Sequence, residues 1–107
     1  MTMYLSYLCY FFAGCFFTNS IPHFVNGVTG RRFQSPFAKP PGKGLSSSSM
    51  NVIWGMINIV GGYALLRCVG GFDIANIADA GALGAGVFLF GLLLAYYFGA
   101  LHGGEGR

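Results

Sequence analysis

The stretch Ala80–Leu101, AGALGAGVFLFGLLLAYYFGAL, contains no charged side chain and no proline. At ~1.5 Å per helical residue it is long enough to cross a hydrocarbon layer of ~30 Å. Tyr96 and Tyr97 stand near its end, where aromatic rings suit the headgroup region. This stretch predicts a transmembrane helix, and the rest of the chain supports it. Of 107 residues, 54% are hydrophobic and only 8% are charged. Soluble domains carry about 25% charged residues, and a chain this short has too much surface per volume to hide its apolar excess from water.

Two further charge-free or nearly charge-free stretches precede it. The first spans about Met3–Ile21, with Tyr4, Tyr7 and Tyr10 at its start and Asn19-Ser20-Ile21-Pro22 at its end. Pro22 disfavours helical geometry in the residue before it, which predicts a stop. The second spans about Asn51–Val69, with Trp54 near its entry and Arg67 placed to snorkel from its far end. The expectation is a single all-α integral membrane domain over residues 1–107. It has three transmembrane helices and a compact irregular loop over residues 22–49.

That loop holds Asn26-Gly27, Thr29-Gly30, Pro36, Pro40-Pro41, Gly42 and Gly44, all turn formers. Phe24, Val25, Phe33 and Phe37 are interleaved with them, which predicts aromatic anchors at the membrane interface. Ser46–Ser49 offer hydroxyl N-caps for the second helix. Asp73 and Asp79 are placed to cap or charge-complement the third.

Small residues predict the helix contacts. Asn51, Gly55, Asn58 and Gly62 fall on one face of the second helix. Ala80 and Gly84, then Gly91, Ala95 and Gly99, form a stripe on the third. Small residues let helices approach closely, and a buried amide seeks a partner across the contact. The expectation is that helices two and three pack through these stripes, with helix one alongside.

Arg31, Arg32, Lys39 and Lys43 sit in the first connector with no acid among them. Such a cluster is the ordinary orientation signal of a cytoplasmic loop. It places the N-terminus outside and the C-terminus inside. The same four cations are candidates for contact with lipid phosphate or another anion. Nucleic acid is not an expected partner.

Other signals are weaker. Pro40-Pro41-Gly42-Lys43-Gly44 lacks the first glycine, the hydroxyl residue and the preceding strand of a phosphate loop. Phe12-Ala13-Gly14-Cys15 is a loose match to a lipidation signal, with Phe12 in place of the usual Leu and no preceding basic residue. Cys9, Cys15 and Cys68 show no paired or metal-binding spacing. His23 and His102 fall at the same predicted membrane face as potential neighbours, but a metal site needs three or four ligands. No span carries the carboxylate of a proton-coupled carrier, and no mid-span His offers a pigment ligand. No catalytic residue, metal or cofactor is therefore predicted.

The segment Ile21–Gly55, IPHFVNGVTGRRFQSPFAKPPGKGLSSSSMNVIWG, resembles a family of small bacterial inner-membrane proteins. The shared elements are I-P-H-x-x-N-G, then G-R-x-F-x-x-P-F-A-x-P-P-G-x-G, then a Ser run into N-x-x-W-G. The resemblance covers about a third of the chain and brings no activity with it. It implies a bacterial inner-membrane location and a first connector with a defined structure. The functional expectation is a non-catalytic accessory or structural subunit that packs, among membrane lipids, against a larger membrane complex or copies of itself. The alternatives are a holin-like pore former and a small carrier of lipids or anions.

Overall fold

The computed structural model describes residues 2–68 and 70–103. The predicted end of the second span at Val69 and the tail 104–107 lie outside the described residues. Three helices dominate: α1 Met3–Val28, α2 Ser48–Cys68 and α3 Ile77–Leu101. They contain 26, 21 and 25 residues, and all three are long and apolar enough to cross a membrane. Between α1 and α2, β1 Phe33–Gln34 pairs antiparallel with β2 Leu45–Ser46, Phe33 opposite Ser46. A two-residue ladder is too short to leave a strand period in the sequence.

The helix starts follow from local chemistry. Thr2 Oγ1 accepts from the Leu5 N–H and caps α1. Ser47 Oγ accepts from the Met50 N–H at the start of α2. Asn76, rather than an Asp, caps α3 by accepting from the Asp79 N–H. Asp79 lies in the first turn of α3 and accepts from the Asp73 N–H. Its negative charge there complements the helix dipole.

The predicted stop at Pro22 is overturned, because α1 runs through it to Val28. Proline removes one backbone donor, the one for the Thr18 carbonyl, and contacts of the next turn to α2, His23 with Asn51 and Phe24 with Gly55, hold the helix beyond it. Ser20 Oγ donates to the Phe17 carbonyl, and Asn26 Nδ2 donates to the Pro22 carbonyl at 2.7 Å. The extra turns carry His23 and Asn26, which the sequence reading assigned to the loop.

The predicted packing of helix two on helix three is also corrected. The central helix is α1, which contacts α2 on one side and α3 on the other, whereas α2 and α3 scarcely approach each other. Gly55 and Gly62 do serve close packing, but against Phe24 and Phe17 of α1. On the other side, Gly86 lies against the backbone of Phe11, and Gly14 lies against Leu83 and Val87. Backbone meets backbone there, so neither position has room for a Cβ. Thr18 Oγ1 donates to the Val87 carbonyl at 3.3 Å across the same contact. At the far end Tyr10, buried, donates its hydroxyl to the Gly70 carbonyl at 3.0 Å and packs edge-on against Phe72.

Gly86→Val is expected to drive a side chain into the Phe11 carbonyl and to cost ~2 kcal/mol or more, the range of core overpacking. A denaturant titration in mild detergent, following helical signal, measures this. Gly81→Val, where a Cβ meets open space, serves as the matched control.

Candidate functional site

The loop end of the bundle holds a buried polar network built around Asn51, which has no exposed surface. Asn51 sits in the first turns of α2, directly behind the small ladder. Its Nδ2 donates to the carbonyls of Phe33 at 3.1 Å and Ser47 at 3.0 Å, with that of Ser46 at 3.4 Å. Carbonyls only accept, so these contacts fix which end of the amide is nitrogen. The remaining Oδ1 lies 2.9 Å from His23 Nδ1 on α1. That nitrogen must therefore carry the hydrogen, and the tautomer leaves Nε2 as the acceptor. One side chain thus ties both strands and the α2 start to α1.

The loop folds back over this network. Ser35, 1% exposed, pairs its hydroxyl with that of Ser46 and accepts from the Phe37 N–H. Gly42 and Ala38 donate their N–H groups to the Ser35 carbonyl. The last turn of α3 holds the other side. Tyr97 donates its hydroxyl to the Gly42 carbonyl at 2.7 Å, and His102 Nε2 is hydrogen bonded to Gln34 Oε1 at 3.1 Å. Phe33 is the apolar centre, its ring 4.7 Å from Phe98, 5.5 Å from His23 and 5.7 Å from His102.

Between the three helices and the loop lies a cavity of about 360 Å³. Asn19, His23, Gln34 and Ser35 form its polar wall. Trp54, Leu94 and Phe98, with Pro36 and Pro41 of the loop, form the apolar one. No Lys, Arg, Asp or Glu among the described residues lines it. The Trp54 indole N–H is buried and has no hydrogen-bond partner among the described residues.

The residues singled out from the sequence fall in different places. Asn51 is the hub of the loop network more than a helix-contact residue. Asn58, buried, accepts from Asn19 Nδ2 of α1 at 3.1 Å and donates to the Trp54 carbonyl. On α3, Gly84 meets open space, Ala95 is exposed, Gly99 is half-buried, and Gly91 has only the Thr18 methyl within reach. The stripe that packs internally is Gly86's, one face round from the predicted one.

Arg31, Arg32, Lys39 and Lys43 are all exposed. Arg31 Nε donates to Thr29 Oγ1, and Arg32 donates to the Leu45 carbonyl. His23 and His102 are neighbours through Phe33 and Phe98, but no group of three or more metal-ligating side chains comes together among the described residues.

Gln34, Ser35 and the acceptor role of His23 are absent from the sequence reading. Only a ladder pairing could have revealed them, and that pairing has no sequence period. Compared with protein-family models, with curated proteins and with solved structures, the chain matches none of them.

Replacing Asn51 with Leu keeps the volume and removes every one of these bonds. Stranding the His23 N–H and the strand carbonyls is expected to cost ~2–3 kcal/mol, since each buried unpaired group costs ~1–3 kcal/mol. Limited proteolysis between Arg31 and Lys43 should accelerate by at least tenfold.

Proposed function

We propose that the chain is a three-span membrane protein that acts as a non-catalytic packing subunit, binding other membrane helices through the outward face of α3. One observation carries this reading. The most apolar helix is also the least covered: in its most apolar window 6% of residues are buried, against 33% in α1. Gly84 and Ala95 lie on that uncovered side together with exposed Phe88 and Leu92. Small residues on a lipid-facing side allow close helix approach, and the internal contact to α1 uses Gly86 instead. The partner is a larger membrane complex or a second copy of the chain.

The bacterial inner membrane and a cytoplasmic first connector belong to the same proposal. The loop and the end of α3 share one end of the bundle, as Tyr97 and His102 require. The exposed Arg31, Arg32, Lys39 and Lys43 would then lie against anionic headgroups on that side, each cation adding ~1 kcal/mol near the surface.

Gly84→Leu tests the assembly. Membrane insertion and thermal stability should stay unchanged, while crosslinked species and slow native-gel bands disappear. Unchanged assembly would remove α3 as the contact. Orientation is read separately with Ser49→Cys in a background lacking Cys9, Cys15 and Cys68. An impermeant thiol reagent added to sealed cells should leave it unlabelled, and labelling would reverse the topology.

A further inference from the structure

We propose that the cavity beneath the loop is a binding site for a neutral lipid with a hydroxyl head, such as an acylglycerol or a long-chain alcohol. The polar end presents one unmet group. His23 is 3% exposed, and Asn51 occupies its Nδ1. Its Nε2, an acceptor, has no partner among the described residues. The Trp54 ring stands edge-on to the His23 ring, centroids 6.4 Å apart, with its own N–H closed off from the cavity.

A hydroxyl is a small group that satisfies it, giving its hydrogen to His23 Nε2. An acceptor this enclosed is costly to leave unpaired, so filling it is a source of affinity. The absence of any charged side chain from the wall selects against a phosphate or carboxylate head, whose charge would be buried without a counterion.

The tail has a path as well. A second apolar hollow of about 300 Å³ shares Asn19 and Trp54 with the first and continues along α1 past Phe12, Phe16 and Phe90. It exists because α2 and α3 stand apart on either side of α1. The two hollows adjoin at Asn19 and Trp54, so a chain leaving the head site on that side would run along the open flank of α1. The proposal rests on the bilayer placement above, but not on assembly through α3.

Trp54 is the sole tryptophan of the chain, so its fluorescence reports this site alone. The full chain in phosphatidylcholine nanodiscs is titrated with a monoacylglycerol brominated on its acyl chain. Quenching should saturate, and unlabelled monooleoylglycerol should reverse it, while methyl oleate and phosphatidylglycerol should not. His23→Leu should weaken binding at least tenfold. Leu94→Phe, which fills the cavity without touching the polar network, should abolish it and decides the matter if His23→Leu does not fold.

Quenching that rises linearly without saturation, equal competition by methyl oleate, or unchanged binding by Leu94→Phe would overturn the site. That pattern means that water alone fills the cavity. Competition by phosphatidylglycerol would overturn the neutral head. Quenching by brominated phosphatidylcholine of the bilayer itself measures membrane placement separately, so failure of one reading is distinguishable from failure of the other.

Discussion

Because α2 and α3 do not hold each other, α1 has to hold both. A helix with two neighbours on opposite sides needs two contact faces, and α1 builds them differently. Towards α3 it offers Gly14 and the bare carbonyl of Phe11 to Gly86, a backbone approach with no side chain between. Towards α2 it presents Phe17 and Phe24 to the vacant positions of Gly62 and Gly55. One side relies on proximity, the other on rings filling glycine gaps. Both faces attract chiefly through dispersion at close range, so loss of either face would weaken the hold on a whole helix.

The second half of α1 carries five polar residues: Thr18, Asn19, Ser20, His23 and Asn26. Each one is hydrogen bonded, to its own helix, to α2 or to α3. That distribution divides the bundle along its length. The first half is held by packing and by the Tyr10 tie to Gly70, and the loop end by a specified network centred on Asn51. With both ends of the Asn51 amide paired, one arrangement of the loop is fixed, since any other leaves buried groups unpaired.

The sequence made the three helices legible, because charge-free length is a strong and local signal. The face of α2 was legible too, since Asn51, Gly55, Asn58 and Gly62 leave only one consistent stripe. The partner of that face was not, because spacing describes one surface and says nothing of which helix meets it. On α3, glycines at positions 81, 84, 86, 91 and 99 support several stripes at once. Only Gly14 lying opposite selects Gly86. Pro22 misled because the bias on the residue before proline is a steric preference and not a veto, and the packing of His23 and Phe24 against α2 outweighs it. The cavity wall was the least legible part, because Gln34 and Ser35 acquire meaning only once a two-residue ladder pins them beneath Asn51.

The last turn of α3 does more than end a helix. Tyr97 and His102 grip the loop at Gly42 and Gln34, so the helix acts as a lever whose short arm is the lid over the hollow. With α2 giving α3 almost no support, any tilt of the long arm would reach that lid through these two hydrogen bonds.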